Sequence, residues 1–502
     1  MADIILFQPK CGIWDIMGIR PPTGLLNIAG VPVSKGYDVV LIDQRLSQDW
    51  KEDLKKEIRK GAKLVCLTTM VGEQIKYMME VSKFIKSIDS KILVVLGGSW
   101  AQTMPKLCMQ DKNIDIVCYG EGDYLLSDLM EYSNGSRGIE DVLGIVYRFS
   151  DGLKKTDARP LIKNLDELPK IPYHLINLKD YISIGYRKDK PSLALMVSRG
   201  CPFRCSFCSI VSLYGRSWRS YSIERVIEEI KELDEKYGIK DFFFMDDHIA
   251  VNKKFFSELV GFFVKSNEEG RDYNWGAAGM RADSVLGFDE ETLGNLEKSG
   301  CRNLDIGVES GNSRVMNMIM KDTSLEIIRK ANQKLSKYPI IIKFTFMAGF
   351  PTETKEEYLD TLRFRKILED ENPYATAPIF NYTPFPGTEL YQVALENGFR
   401  PPETLDGWAD FNYNTWYKKY PSWLTKERLK LIENSVFLSY FANKKLSYKY
   451  ANPLMNFMFR MYYPLAKFRY DSNFYGFMIE KKMADLVAKV NSKVNLFNRV
   501  RR

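Results

Sequence analysis

Three cysteines stand within eight residues in SRGCPFRCSFCSI: Cys201, Cys205 and Cys208. Spaced by three residues and then two, three thiolates can fold round one metal cluster, and thiolate ligation is what a [4Fe–4S] cluster needs. Three ligands leave one iron open, and an open iron is a reaction site. A structural zinc site would need a second cysteine pair nearby, and Cys301 stands alone. The chain has only two histidines, His174 and His248. That argues against His-rich zinc or non-haem iron centres. Eight cysteines in 502 residues are too few for a disulfide framework. Cys11, Cys66, Cys108, Cys118 and Cys301 are expected to be buried packing residues.

Other short polar or Gly/Pro motifs each follow an apolar run, and the elements that carry them set their placement. Strand patterns are read at 192–198, 240–247, 274–280, 303–309, 341–350 and 376–382, with helical patterns between them. Six βα units in series predict a partial barrel of the TIM type, whose sites lie at the carboxyl ends of the strands. The cysteine motif begins where the first strand ends. MDDH, with Asp246 and Asp247, ends the second; these carboxylates can accept from an ammonium or cap a helix. MRAD, with Arg281, follows the third, and GVESG, with Glu309, the fourth. AGFPTET, with Gly349 and Pro351, ends the fifth, and TPFPGTELY, with Pro384 and Pro386, the sixth.

Upstream, near-continuous apolar runs at 3–7, 38–42, 63–69, 91–98 and 114–120 alternate with helical patterns. This predicts a doubly wound parallel sheet, flavodoxin-like or Rossmann-like, covered on both faces. Its carboxyl edge carries Thr68, Thr69, Gly97, Gly98, Gly120, Glu121 and Gly122, either as tight turns or as a ligand-binding edge. The expected organisation is α/β throughout the first two units: 1–145 the doubly wound domain, 146–190 a Pro-punctuated linker with a short hairpin, 191–395 the partial barrel, and 396–502 an α-helical extension.

The order of these motifs resembles the radical S-adenosylmethionine (SAM) superfamily, whose signature is C-x3-C-x2-C with an aromatic, here Phe207, before the last cysteine. The resemblance implies that Cys201, Cys205 and Cys208 hold a [4Fe–4S] cluster whose open iron chelates SAM. Electron transfer would then cleave SAM to a 5′-deoxyadenosyl radical. It implies SAM contacts from Phe207, Asp246, Asp247, Arg281, Glu309, Gly349, Pro351, Pro384 and Pro386. RPPTGLLNIAG, KGYDVVLID, VVLGGSWAQTMP and DIVCYGEGDYLL are similar to the cobalamin-binding domain of one large class within the superfamily. That class includes cobalamin-dependent methylases and the anaerobic magnesium-protoporphyrin ester cyclase type. It implies a corrinoid near Thr68, Thr69, Gly97, Gly98 and Gly120 to Gly122. Two departures stand out. Asp43-Gln44-Arg45 replaces the motif that supplies a lower axial histidine, and Ser99-Trp100 follows Gly97-Gly98 where a histidine is common. A bound cobalamin would therefore take no histidine from this domain.

The implied activity is functionalisation of an unactivated C–H bond by cobalamin-dependent C-methylation. The alternatives are radical cyclisation, oxidation or C–C bond formation without methyl transfer, and, in another class, a non-catalytic cobalamin carrier or sensor. The implied partners are a small-molecule or lipid substrate and an electron donor such as ferredoxin or flavodoxin.

Charge separates the ends of the chain. The whole carries +8, yet residues from Phe441 onward carry 13 Lys+Arg against 3 Asp+Glu, net +10, and the first 440 residues net −2. Phe441 to Phe477 also holds 12 Phe+Tyr. Basic and aromatic residues together suit a peripheral contact of 441–502 with an anionic membrane, or a plain helical cap with a basic outer face. Nucleic acid is the weaker fit. No run of apolar residues is long enough to span a bilayer. The opening MADIILFQPKCG lacks the basic and long apolar regions of a secretory signal. The expected location is the cytoplasm, peripherally on the inner face of the membrane where the tail makes contact.

Overall fold

The computed structural model describes residues 2–12, 15, 19–150, 152–181, 183–184, 191–412, 416–420, 422–442, 453–472, 474–476 and 478–481. The linker end 185–190 and the basic stretches 443–452 and 482–502 lie outside these residues.

The first sheet runs β1 (Ile4–Gln8), β2 (Val39–Asp43), β3 (Leu64–Thr68), β4 (Leu93–Gly97), β5 (Ile116–Cys118), β6 (Ile145–Phe149) and β7 (Gly152–Lys155). Its order is β2-β1-β3-β4-β5-β6-β7, with β1 to β5 parallel. This is the flavodoxin-like doubly wound order, whose crossover reverses between β1 and β3. Strand periodicity divides the core in two. Ile5, Phe7, Val65, Leu67, Val94, Leu96 and Val117 face one layer, and Ile4, Leu6, Leu64, Cys66, Val95, Ile116 and Cys118 face the other. The hairpin β6–β7, read from sequence as part of the linker, pairs antiparallel with β5 and completes the first sheet.

The second sheet contains β8 (Ser183–Ile184), β9 (Pro191–Leu195), β12 (Asp241–Phe244), β13 (Asn274–Met280), β14 (Cys301–Glu309), β15 (Ile341–Ala348), β16 (Ala375–Thr376) and β17 (Ile379–Asn381). From β9 onward all neighbours are parallel and consecutive, giving an open six-unit barrel. β16 and β17 are two halves of one strand beside β15, interrupted at Pro378, which has no N–H to give to the ladder. A short pair outside this sheet, β10 (Ser198–Gly200) and β11 (Trp218–Ser220), closes the chain from 201 to 217 into one loop. The barrel wall is plugged by aromatic contacts among Phe244, Phe256, Phe263 and Trp275.

Beyond the barrel the chain turns back. Phe399, Leu405, Trp408, Phe411 and Trp416 pack into one core of the first domain, and Trp408 lies 4.6 Å from Trp100 between ring centroids. The helix Lys426–Phe441 then packs on the barrel, and the helix Pro453–Asp471 packs on it in turn. No described helix is long and apolar enough to cross a membrane.

The turn after β4 depends on Gly98. Its φ is +97°, and a Cβ there would stand 2.4 Å from the Thr69 carbonyl oxygen. Gly98→Ala is expected to destabilise the protein by about 1–3 kcal/mol from backbone strain alone. A thermal midpoint measured by circular dichroism should fall by several degrees; an unchanged midpoint would show that the turn can relax.

Candidate active site at the facing edges of the two sheets

The loop between β10 and β11 carries the three cysteines and is fixed along its length. Cys208 N–H donates to the Cys205 carbonyl at 3.0 Å, Ser206 N–H to Ile319 O at 2.9 Å, and Leu390 N–H to Ser206 O at 2.9 Å. Arg204 pairs with Asp322 at 2.8 Å. Phe207 packs with Val315, Ile319, Phe350, Tyr382 and Leu390, which wedges it between the two Gly/Pro turns read from sequence. The cysteines are partly exposed, whereas Cys11, Cys66, Cys108, Cys118 and Cys301 are buried. Burial pushes the Cys208 thiol up to about 12 and raises that of Cys201, so both would bind metal with release of a proton. Among the described residues no three His, Cys, Asp or Glu side chains converge tightly enough for a single metal ion. Three partly exposed thiols carried on one loop are a donor set that a multi-iron cluster would fit.

Two carboxylates from the barrel hold the root of this loop. Asp246 Oδ1 accepts from Val197 N–H at 3.0 Å, Ser198 N–H at 2.5 Å and Ser198 Oγ at 2.6 Å. Asp247 accepts from Gly200 N–H at 2.9 Å. Burial raises the Asp246 carboxyl to about 7 against these hydrogen bonds, and its Oδ2 is buried with no partner. An orphaned acceptor beside the cysteine loop is what an ammonium group of a ligand would satisfy. Neither Asp246 nor Asp247 caps the helix that follows, since Asn252 does so. Gly279, at φ +68°, lets β13 pass against this segment, where a Cβ would meet the Asp246 carbonyl at 2.1 Å.

Arg281 is 5% exposed. It donates to Asp283 at 3.0–3.2 Å and to Asp322 O at 3.2 Å, lies 3.7 Å over the Phe203 ring, and brings Nη1 to 4.0 Å from Cys205 Sγ. It therefore sits beside the thiols as a fixed positive charge. Glu309 is buried, takes φ +71°, and is paired with buried Lys321 at 3.0 Å. A non-glycine residue in that conformation at a strand end marks a place where geometry is over-determined. After β15, Gly349 N–H donates to Glu353 at 3.0 Å; Pro351 follows in the same turn. Buried Glu353 is raised by burial to about 7 and is met by Arg428 at 3.1 Å, while Trp423 donates to Gly349 O at 3.2 Å. Pro384 is buried, and Pro386 lines the cavity described next. His248 is buried, held to about 4 by burial, and hydrogen-bonded to Ser284 at 3.1 Å. His174 is exposed on the linker.

A cavity of about 670 Å³ lies between the carboxyl edges of the two sheets. One wall is from the first domain: Cys11, Asp15, Arg20, Arg45, Met70 to Glu73, Ser99 and Trp100. The other is from the barrel: Ala194 to Met196, Ser209, Met245, Phe385 and Pro386. Ser209 is the neighbour of Cys208. Neither histidine lines the cavity. An opening of this size at the switch between β1 and β3 suits a flat, bulky cofactor. Thr69 N–H donates to Gly97 O at 3.0 Å and Trp100 N–H to Thr69 O at 3.3 Å, so the turns at Thr68-Thr69 and Gly97-Gly98 hold the segments that carry the lining residues Met70, Ser99 and Trp100. The lining positions Met70, Val71, Gly72, Met196, Met245 and Phe411 were not legible as site residues, because apolar side chains carry no chemical signature.

The turn Gly120-Glu121-Gly122 lies elsewhere, against the root of the cysteine loop. Glu121 is buried and accepts from Ile162 N–H at 2.7 Å, from Arg219 at 2.9 Å and from Arg199 at 3.2 Å. Asp123 takes Arg199 in a bidentate pair at 2.8 and 2.9 Å. Arg199 and Arg219 belong to β10 and β11, so this cluster clamps the cysteine loop to the first domain.

Comparison with known proteins agrees with this architecture. The Radical SAM superfamily model matches residues 195–365, and the B12 binding domain model matches residues 12–130. An uncharacterised methyltransferase of Pyrococcus horikoshii is 32% identical over 396 residues, covering 78% of this chain and 83% of the relative. The chain belongs to the radical SAM superfamily, in the class with an amino-terminal B12-binding domain. The anaerobic magnesium-protoporphyrin IX monomethyl ester cyclase of Rubrivivax gelatinosus is 27% identical, covering 83% of this chain and 78% of that protein. The solved structure of the cobalamin-dependent S-adenosylmethionine radical enzyme OxsB, with aqua-cobalamin and S-adenosylmethionine bound, shares the fold. Its TM-score is 0.70 at 16% identity, covering 98% of this chain and 75% of that one. As a radical SAM enzyme the chain uses a [4Fe–4S] cluster and SAM, and its B12-binding domain adds cobalamin. The carrier or sensor reading is set aside by the radical SAM match.

The role of Glu121 is open to a direct test. Glu121→Ala would leave Arg219 with only the Ile162 carbonyl and remove its carboxylate partner, and breaking a largely buried pair from one side costs up to about 3–5 kcal/mol. The thermal midpoint of the cofactor-free protein is expected to drop sharply. A normal midpoint with weakened cobalamin binding would instead make Glu121 a cofactor contact.

Proposed function

We propose that this enzyme is a cobalamin-dependent methylase that acts on an unactivated carbon of a small or apolar molecule. The observation that carries this reading is the cavity shared by the carboxyl edges of both sheets. A cofactor seated against Met70 to Gly72 and Ser99-Trp100 would face the cysteine loop across the same space that admits substrate. When bound, the cluster supplies an electron to SAM, and cobalamin supplies a methyl carrier.

The chain's own residues would do the holding. Cys201, Cys205 and Cys208 ligate the cluster. The unpaired Asp246 Oδ2 accepts from the SAM ammonium, and Asp247 keeps the loop root in register for it. Arg281 sets a positive charge beside the thiolates and the SAM carboxylate. Glu309, Phe207 and the turns at Gly349–Pro351 and Pro384–Pro386 shape the nucleoside site. Thr68, Thr69, Gly97 and Gly98 support the cobalamin edge; Glu121 serves the interdomain clamp. A reduced ferredoxin or flavodoxin is the proposed electron donor. The reading also includes a peripheral contact of the basic carboxyl-terminal extension with an anionic membrane, supported by its charge.

Ring closure or oxidation without methyl transfer is the second reading, favoured by the likeness to the ester cyclase. Protein reconstituted anaerobically should carry about four irons, and the triple variant Cys201→Ala, Cys205→Ala, Cys208→Ala almost none. Supplied with reductant, cobalamin and SAM bearing a trideuteromethyl group, the enzyme should move the label onto its bound cobalamin. Formation of 5′-deoxyadenosine with no labelled cobalamin would favour the second reading. Iron retained by the triple variant would remove the basis of both.

A further inference from the structure

The helix Pro453–Asp471 has two unlike faces. The inner one is satisfied. Ala466 and Tyr470 are buried, the Tyr470 hydroxyl donates to Glu369 at 2.8 Å, and the Tyr462 ring lies 5.2 Å from Phe441. The outer one carries Met461, Leu465 and Phe468, which are 68%, 45% and 65% exposed. Their spacing of four and then three residues puts them on one stripe. Among the described residues all three stay exposed.

What surrounds the stripe in sequence narrows the choice of occupant. The stretches on either side of this helical region, 443–452 and 482–502, hold nine Lys or Arg and a single acidic residue, Asp485. A protein partner with an apolar groove would need no such one-signed charge. An anionic bilayer calls for both features, apolar side chains that enter the headgroup boundary and basic residues that face it. Neither feature alone gives stable anchoring, whereas the two together do. The helix is not a spanning segment.

We infer that Met461, Leu465 and Phe468 form an interfacial docking face for an anionic membrane. The inference rests on the peripheral contact proposed for the extension and names the side chains that make it. The docked element is tied to the catalytic body: the helix Lys426–Phe441 beneath it sends Arg428 to Glu353, which holds the turn at Gly349. Surface docking would thus present the barrel to molecules resident in the bilayer.

The test uses the full-length reconstituted enzyme in flotation with two vesicle types, phosphatidylcholine alone and phosphatidylcholine with phosphatidylglycerol. The wild type should float with the anionic vesicles and not the neutral ones, and about 0.5 M salt should weaken the binding by screening its electrostatic part. The variant Met461→Ser, Leu465→Ser, Phe468→Ser should lose at least about tenfold in partitioning through lost apolar burial, with an unchanged iron content showing that its fold is intact. A wild type that floats with neither vesicle would overturn both the peripheral contact and the docking face. A variant that floats as well as the wild type would overturn the docking face alone and leave the contact to the basic stretches. A lipid-free wild type that sediments as a dimer, with the variant a monomer, would make a second copy the occupant and overturn the inference.

Discussion

Four carboxylates, three of them buried and Asp247 half-buried, hold the root of the cysteine loop, and the geometry of the cluster site depends on them. Asp246 and Asp247 grip the backbone from Val197 to Gly200 from within the barrel. Glu121 and Asp123 grip Arg199 and Arg219 from the first domain. Buried polar groups are tolerated when hydrogen-bonded or paired, so the hydrogen bonds of Asp246 and Asp247 and the ion pairs of Glu121 and Asp123 disfavour other arrangements of the segment they hold. The loop is thereby fixed from two domains at once. The B12-binding domain cannot swing away from the barrel without leaving two arginines and two carboxylates unpaired. A site that must keep a cofactor in one domain facing a cluster in another has reason to be built this way.

Much of this architecture was legible in advance. Strands of the first sheet were read within a few residues, because buried parallel strands are continuous apolar runs such as DIILF and KLVCLTT. The barrel strands were equally plain, and the strand 274–280 matches its reading end to end. The cysteine motif announced itself by spacing. What stayed hidden has a common physical cause. Glu121 sat between two glycines at a strand end and read as a ligand contact, but its partners Arg199 and Arg219 lie 78 and 98 residues away in the chain. Long-range ion pairs leave no local pattern. The hairpin β6–β7 was read correctly as a hairpin, yet its pairing with β5 is a tertiary choice that alternation alone does not specify.

The carboxyl-terminal extension from residue 396 is better understood as a strap than as a cap. It contributes Phe399, Leu405, Trp408 and Phe411 to the core of the first domain, then crosses to the barrel, where Trp423 and Arg428 hold the turn at Gly349. Apolar burial fastens the first contact and hydrogen bonds fasten the second. Glu353 shows why the second matters. Its side chain is buried, and without Arg428 its charge would have only the backbone N–H groups around the turn to offset desolvation. The strap therefore supports the same turn that the sequence motif marks as part of the SAM site.

The two walls of the central cavity differ in character, and the difference bears on the chemistry. The first-domain wall carries Asp15, Arg20, Arg45 and Glu73, with Arg45 locked by Asp43 and Asp43 in turn by Tyr181. The barrel wall is largely apolar, formed by Ala194, Leu195, Met196, Met245, Phe385 and Pro386. A polar wall can orient the amide-rich rim of a large cofactor through fixed side chains. An apolar wall beside the cluster loop discourages water where a reactive species would be handled, and it favours an acceptor that presents hydrocarbon. Arg20 spans the two, donating to Met245 Sδ at 2.6 Å across the opening. Polarity on one side and hydrocarbon on the other fit the proposed reading, in which the first domain holds the cofactor and the barrel wall faces an apolar acceptor.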